Sequence, residues 1–181
     1  TIGGAEASRK LPELRLLYLG GEALPMDLVE NWREGRRLEN GYGPTECAIT
    51  ITRTQIHTSD EEVTIGHVIP PNTAWIIDED GSVIEDDRRG ELCISGINVT
   101  RGYLNRPELT AERFPTHPVC GRIYRTGDLV SRRPDGHILF HGRIDTQVKL
   151  RGYRVELAEI ENHLCACPNV ESAACVVQGT G

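Results

Sequence analysis

The sequence predicts an α/β segment followed by a β-rich segment, and three observations support this fold class. An apolar run at residues 14–19 leads into Gly20-Gly21 and then into a helical stretch, which is an α/β rhythm. From about Thr64, short apolar and β-branched runs alternate with turn signals such as residues 79–81. After Asp145, a partly alternating stretch precedes an amphipathic helix. The predicted class is therefore α/β plus β, ending in the start of a small α+β unit.

The first segment has a strand, a helix and a glycine-rich loop in that order. Residues 14–19 (LRLLYL) are mostly apolar, which predicts a buried strand. A helix is expected from about Pro25 to Glu34. The glycines and the proline of residues 40–46 (NGYGPTE) disfavour regular structure, so this stretch is predicted to be a loop.

The second segment is predicted to be an antiparallel β-domain interrupted by one helix. Its strands are TAWIID (73–78), ELCISG (91–96), LVSRR (129–133) and HILFHG (137–142). The helix is expected over about 106–114, with Asn105 as N-cap, Glu108 three residues later, and Leu104 and Leu109 as a hydrophobic staple.

The last segment begins a further unit. Leu157, Ile160 and Leu164 lie on one face of a predicted helix that ends before Pro168. Residues 170–177 are predicted to form a strand of small residues.

Composition excludes several classes of function. With 38% hydrophobic and 26% charged residues, the chain can bury a core. Its net charge of -7 is spread over short acidic runs, so no nucleic-acid partner is expected. No apolar run is long enough to span a membrane, and six cysteines without a Cys-x-x-Cys pair suggest reduced thiols. We therefore expect a cytoplasmic protein with no membrane contact.

Two loops contain residue types suited to a nucleotide. In residues 40–46, glycines allow close backbone approach, Thr45 offers a hydroxyl to a phosphate, and Glu46 offers the carboxylate that Mg²⁺ prefers. After Thr126-Gly127, Asp128 is suited to accept hydrogen bonds from a ribose diol. Taken alone, both stretches are more typical of plain turns than of a nucleotide site.

A third cluster lies at residues 142–152 (GRIDTQVKLRG). Its cations could form a solvated face, the usual meaning of a charge run. However, apolar residues are interleaved among them, and Lys149 is one of only two lysines among 20 basic residues. Lysine differs from arginine in being a compact point charge.

Four strings together identify a resemblance. NGYGPTE (40–46), GELCISGINVTRGYLNRPELTAERF (90–114), YRTGDL (124–129) and GRIDTQVKLRGYRVELAEIE (142–161) resemble successive core motifs of the adenylation domains of nonribosomal peptide synthetases. LRLLYLGGEAL (14–24) resembles the segment that precedes them. Acyl-coenzyme A synthetases and luciferases share parts of these motifs, but the strings are more similar to the peptide-synthetase branch.

The resemblance implies a partial domain. Residues 1–144 would be the C-terminal portion of the large subdomain, with an α/β layer and a distorted antiparallel β-barrel. Residues 145–181 would be the hinge and the first part of the small subdomain. The family's glycine-rich phosphate loop and its C-terminal lysine have no counterpart here, so we expect no ATP-pyrophosphate exchange from this chain alone.

The resemblance also implies a reaction and its residues. A carboxylate attacks the α-phosphorus of ATP to form an acyl adenylate, and the phosphopantetheine thiol of a carrier domain then takes the acyl group. Thr45, Glu46 and Lys149 would be catalytic, with Mg²⁺ on Glu46. The nucleotide would be bound by Tyr42, Gly43, Asp128, Phe140 and Arg143. Asp145 would be the hinge.

The same resemblance implies an acyl pocket and partners. Leu17, Leu19, Gly41, Ile49 and Thr50 would line the side-chain pocket, and their lack of charge favours an uncharged amino acid or related carboxylic acid. Partners would be a peptidyl carrier domain, neighbouring synthetase domains and a small activator protein. Two alternatives stay open: a stand-alone acyl or aryl adenylate or acyl-coenzyme A ligase, and a non-catalytic scaffold fragment.

Overall fold

The computed structural model describes residues 10–57, 60–145, 147–150, 153–168 and 170–178. The chain divides into two compact units, the first ending at Gly142 and the second beginning at Arg143. The first unit contains two four-stranded sheets and short helices, and the second contains a hairpin and a helix. The predicted class, α/β plus β, is confirmed.

The first sheet has the order β1-β2-β3-β4, with β1 parallel to β2 and the other pairs antiparallel. Its elements are β1 (Leu16–Gly20), helix α1 (Met26–Trp32), β2 (Arg37–Tyr42), β3 (Thr52–Ile56) and β4 (His67–Val68). The expected helix at Pro25–Glu34 is present but shorter.

Strand β1 is half exposed, not buried as its apolar sequence predicted. Leu16 and Tyr18 are 50% and 45% exposed, whereas Leu17 and Leu19 pack against the cluster around Val29. The described strands pair with β1 on one side only. Successive side chains of a strand point to opposite faces of the sheet, so a helix that covers one face buries only every second residue of β1.

Strand β2 extends further than predicted, through Asn40-Gly41 to Tyr42. Gly41 is opposite Gly20 of β1 and Arg53 of β3, so it has strand neighbours on both sides. The intrinsic preference of glycine for loops is overridden because the ladder satisfies its backbone groups. Regular strand structure therefore ends only at Tyr42.

The second sheet has the order β10-β9-β6-β5, and the four predicted strands of this region are confirmed. They are β5 (Thr73–Ile77), β6 (Gly90–Ser95), β9 (Tyr124–Arg132) and β10 (Ile138–Arg143), with a small pair formed by β7 (Thr116–His117) and β8 (Gly121–Arg122). A bridge between Gly66 and Ile138 connects the region of the first sheet to the second. The main core contains Tyr42, Leu92 and Tyr124.

Helix α2 (Pro107–Arg113) confirms the predicted helix but not its predicted start. Its N-cap is Arg106, no side chain caps it, and Asn105 adopts a left-handed φ of 56°. Leu104 is 89% exposed, so the staple is absent. Proline at the first helical position has a fixed φ and no N–H, which favours a start there.

The second unit contains a hairpin and a helix. Strands β11 (Gln147–Leu150) and β12 (Tyr153–Glu156) pair antiparallel, and helix α3 (Leu157–Cys165) follows as predicted. The expected strand at 170–177 is not formed, since these residues have no strand partner in the described part of the chain. A strand needs neighbours to pair its backbone groups. None of the described helices has the length and apolarity required to cross a bilayer.

Candidate nucleotide site in the first unit

Tyr42 and Asp128 are brought together from positions 86 residues apart. The Tyr42 hydroxyl donates a short hydrogen bond to Asp128 Oδ2, and both side chains are buried. Tyr42 ends β2 and Asp128 lies within β9. Two residues that the sequence assigned to separate motifs therefore form one pair in the core of the unit.

The backbone around Asp128 is held by its own motif. Thr126 Oγ1 donates to the Leu92 carbonyl at 2.7 Å and accepts from the Asp128 N–H at 3.0 Å. Gly127 has a φ of 73°, and its N–H donates to Glu91 Oε1 at 3.0 Å. The threonine and glycine of the Thr-Gly-Asp string thus orient the aspartate backbone.

The environment of Tyr42 keeps its hydroxyl protonated. Burial, followed by the nearby Asp128 carboxylate, raises the pKa of Tyr42 well above its usual value of 10.0. Both effects disfavour a phenolate, because an anion would be desolvated and would face another anion. Tyr42 is therefore a hydrogen-bond donor to Asp128 at physiological pH.

The turn after Tyr42 is tightly folded. Ile51 N–H donates to the Tyr42 carbonyl at 2.8 Å, and Ala48 and Ile49 have left-handed φ values of 57° and 75°. A Cβ at Gly43 would lie 2.8 Å from Ile51 N, so the position admits only glycine. The loop's glycine is therefore explained by close backbone approach within the chain.

Glu46 is buried at 8% exposure inside a 3₁₀ turn (Thr45–Cys47), while Thr45 is exposed. The Tyr103 hydroxyl donates to Glu46 Oε1 at 2.7 Å, and the Thr100 N–H donates to the Glu46 carbonyl at 2.9 Å. Mg²⁺ in nucleotide sites usually takes one or two carboxylates and substrate phosphates. A single oriented carboxylate beside an exposed threonine fits that donor set.

The predicted acyl-pocket residues divide between two faces of the first sheet. The Tyr18 ring lies over Gly41, and its hydroxyl is 3.4 Å from Thr50 Oγ1. Leu17 and Leu19 instead pack in the apolar cluster with Val29, Leu38 and Ile56. Side chains alternate along a strand, so these two leucines point away from the face that Tyr18 shares with Gly41. Ile49 is 77% exposed in the turn.

The remaining predicted residues lie in both units. Phe140 of β10 packs against the main core of the first unit. In the second unit, Arg143 Nε and Nη2 each donate to an Asp145 carboxylate oxygen at 2.7 Å. The backbone of Lys149 pairs with Arg154 in the hairpin, and its side chain lies outside the described part of the chain.

Sequence reasoning missed two tyrosines, Tyr18 and Tyr103. Tyr103 lies within the GYLNRPELTAERF string, whose resemblance drew attention to the motif but not to a contact with Glu46. Strand alternation in the sequence could have identified Tyr18, because it places Tyr18 and Gly20, not Leu17 and Leu19, on the face of Gly41.

A separate cavity of about 580 Å³ lies elsewhere in the first unit. It is lined mainly by polar and charged residues, including Thr54, Asp60, Glu62, Arg133 and His137. No predicted site residue lines it, so this cavity does not coincide with the nucleotide motifs.

The sequence was compared with protein families and with known proteins. The model of the AMP-binding enzyme family matches residues 2–104. Novobiocin biosynthesis protein H of Streptomyces niveus is 51% identical over 166 residues, which cover 90% of this chain and 28% of that protein.

Solved structures that are similar in fold include the following two. PA1221, an NRPS protein containing adenylation and PCP domains, has a TM-score of 0.84 and 32% identity over 93% of this chain and 36% of that one. The Vibrio cholerae adenylation domain AlmE, in complex with glycyl-adenosine-5'-phosphate, has a TM-score of 0.82 and 36% identity over 93% of this chain and 35% of that one. This chain spans between 28% and 36% of the length of each of these three relatives. Because the family model covers more than half of its residues, the chain belongs to the family of AMP-binding enzymes.

Proposed function

We propose that the protein containing this chain activates a carboxylic acid as its acyl adenylate and transfers the acyl group to a carrier-domain phosphopantetheine thiol in nonribosomal peptide synthesis. The observation that carries the proposal is the Tyr42–Asp128 pair. It joins the end of β2, which leads into the loop that contains Glu46, to the strand that contains Asp128. Acceptors for a metal ion and for a ribose therefore occur in the same unit.

The chemistry explains why such acceptors are needed. A free carboxylate has no good leaving group, so its oxygen attacks the α-phosphorus of ATP, pyrophosphate leaves, and the acyl carbon then carries AMP as leaving group. The carrier thiol attacks that carbon, loses its proton, and AMP departs. As in other phosphoryl-group chemistry, the protein contributes mainly positioning and charge stabilisation.

The predicted nucleotide-site and metal-site residues of the first unit each have a role in this reaction. Asp128 accepts hydrogen bonds from the ribose hydroxyls, and Tyr42 and Phe140 contact the adenine. Thr45, exposed at the start of its turn, donates to the α-phosphate, with the backbone at Gly43 close to the nucleotide. Glu46 would hold Mg²⁺, which when bound would neutralise developing charge on the phosphates.

The second unit contains the residues proposed for the conformational change between adenylation and thioester formation. Asp145 is the hinge at which residues 145–181 turn relative to residues 1–144, and Arg143 and Lys149 contact the ribose and phosphate. The bidentate Arg143–Asp145 pair supports this assignment because it gives the turn a defined local geometry.

The acyl pocket is proposed to include Tyr18 together with Gly41, Ile49 and Thr50, with Leu17 and Leu19 supporting the opposite face of the sheet. Tyr18 and Thr50 offer hydroxyls but no charge, so an uncharged side chain that can accept or donate a hydrogen bond fits best. An amino acid is the proposed substrate.

The similarity to PA1221, which contains adenylation and PCP domains, supports a peptidyl carrier domain as partner. Neighbouring synthetase domains and a small activator protein complete the proposed set of partners, and the cytoplasm is the proposed location. The stand-alone ligase remains the alternative that the transfer step tests directly.

The experiment is substrate-dependent ATP-pyrophosphate exchange by the full-length gene product across a panel of amino, hydroxy and aryl acids. Exchange with an uncharged amino acid, and its loss in Glu46→Gln, supports the proposal. Transfer of the acyl group to coenzyme A instead of a carrier domain would favour the stand-alone ligase, and absence of exchange with any acid would contradict both.

A further inference from the structure

The contact between Tyr103 and Glu46 is used by none of the roles assigned above. We propose that Tyr103 is a positioning residue that holds the Glu46 carboxylate in the orientation in which it binds a divalent cation. The inference rests on the proposed function, because it concerns the residue proposed there as metal ligand.

Glu46 needs an external partner to have one orientation. Its turn contains only three residues, and a glutamate side chain has several rotatable bonds that such a turn does not restrict. The side chain is buried, so an unpaired carboxylate would be costly. The Tyr103 hydroxyl meets this need at 2.7 Å from Oε1, across 57 residues of sequence.

Tyr103 is itself held on two sides. Its ring packs edge-on against Phe114, with 5.4 Å between centroids and 72° between planes. Its backbone N–H donates to Thr110 Oγ1 at 2.9 Å, and Gly102 permits this approach because a Cβ there would collide with Thr110. The hydroxyl is therefore presented to Glu46 by a preorganised side chain.

The loop before Tyr103 is fixed by Arg122. Its Nη2 donates to the Thr100 and Arg101 carbonyls at 2.7 and 2.9 Å, and its guanidinium lies 5.0 Å from the Phe114 ring centroid. The Thr100 N–H in turn donates to the Glu46 carbonyl. One loop thus holds both the backbone and the carboxylate of Glu46.

This geometry is compatible with cation binding. An ionised carboxylate accepts about four hydrogen bonds or ligand contacts, and Tyr103 uses one position on Oε1. Partners that orient a metal ligand typically change metal affinity by roughly 10–100-fold when removed. Tyr103 is such a partner, because its hydroxyl donates to the carboxylate of the proposed metal ligand.

The test uses Tyr103→Phe in the full-length gene product, because phenylalanine keeps the ring against Phe114 and removes only the hydroxyl. Binding of Mn²⁺ is measured by electron paramagnetic resonance with a non-hydrolysable ATP analogue present, and AMP binding is measured in EDTA by calorimetry. We expect the Mn²⁺ dissociation constant to rise about tenfold and the AMP constant to stay unchanged. Tyr153→Phe, at a tyrosine that is 75% exposed, is the matched control.

The double variant separates the possible outcomes. If Tyr103 acts through Glu46, adding Tyr103→Phe to Glu46→Gln weakens Mn²⁺ binding no further than Glu46→Gln alone. Loss of Mn²⁺ affinity in Glu46→Gln but not in Tyr103→Phe overturns this inference and leaves the proposed metal ligand standing. Unchanged Mn²⁺ affinity in Glu46→Gln overturns the metal role itself, and equal weakening of AMP and Mn²⁺ binding in Tyr103→Phe would assign Tyr103 a purely structural role.

Discussion

The acidic residues proposed for the site in the first unit and for the hinge in the second unit are held in different ways. In the first unit, Glu46 and Asp128 accept hydrogen bonds from tyrosines that are 57 and 86 residues away in sequence. In the second unit, Asp145 accepts from Arg143 and from the Gln147 N–H, each two residues away. Long-range contacts tie a carboxylate to the packed core, whereas these short-range contacts define only a local turn.

This difference suits the two proposed tasks. A nucleotide site requires groups held within fractions of an ångström, and contacts between distant strands provide that restraint. A hinge must allow its backbone angles to change, which local contacts permit because they move with the turn. The variants below test this contrast, beginning with the largest expected effect.

Asp128→Ala should weaken nucleotide binding by about 1.5–3 kcal/mol, because it removes hydrogen bonds that involve a charged acceptor. The measurement is AMP titration by calorimetry on the full-length gene product. Asp86→Ala is the control, since that aspartate is exposed and pairs with Arg88 only two residues along. An unchanged AMP constant in Asp128→Ala would refute the ribose role.

Asp145→Pro should lower thioester formation on the order of tenfold while adenylation continues at the original rate, because proline locks a backbone that must turn. Carrier loading and ATP-pyrophosphate exchange report the two steps separately. Asp145→Ala is the control, because it removes the contacts with Arg143 but leaves the backbone free to turn. Equal loss of both steps in Asp145→Pro would count against the hinge.

Tyr42→Phe should lower the free energy of unfolding by about 1–3 kcal/mol, since the buried Asp128 carboxylate loses a hydrogen-bond donor. Urea denaturation of the full-length gene product measures the change, and Tyr153→Phe should shift the midpoint very little. Should both substitutions have the same small effect, the Tyr42–Asp128 pair would not contribute to the rigidity of the first unit.

The pH dependence of stability should report the same pair. Below about pH 10, Tyr42 is neutral in the folded and unfolded chain, so its full contribution is present. Above that pH the unfolded chain loses a proton that the folded chain keeps, because the folded-state pKa of Tyr42 is raised. Stability should therefore fall by at most about 1.4 kcal/mol per pH unit from this group.

The check is to compare unfolding of the original protein and Tyr42→Phe between pH 9 and 11, a window around the ordinary tyrosine pKa of about 10. The variant should show a shallower decline. Parallel curves would mean that Tyr42 ionises equally in both states.

Much of the fold could be predicted from the sequence because its signals are local. The strands of the second sheet, helix α2 and helix α3 follow from alternation, turn residues and apolar spacing, each within a few residues. The predicted strand at 170–177 was wrong because strand formation depends on a partner, and none pairs with it in the described chain. The predicted N-cap of α2, Asn105, was wrong because the helix begins at Pro107 and its N-cap is Arg106.

The candidate site divides in the same way. Motif strings identified Tyr42, Glu46 and Asp128 as a set, but the pairing of each carboxylate with a tyrosine depends on which strands and loops meet in space. The direction of Leu17 and Leu19 depends on which face of β1 helix α1 covers.

By itself, the sequence determined the residue types available for nucleotide chemistry, the order of the elements and the resemblance to an AMP-binding family. Only the tertiary structure decided that Tyr103 supports Glu46, that Tyr42 supports Asp128 and that Tyr18 shares a face with Gly41. The physical reason is that hydrogen bonds and packing join atoms by distance in space, and residues far apart in sequence carry no local signal of that distance.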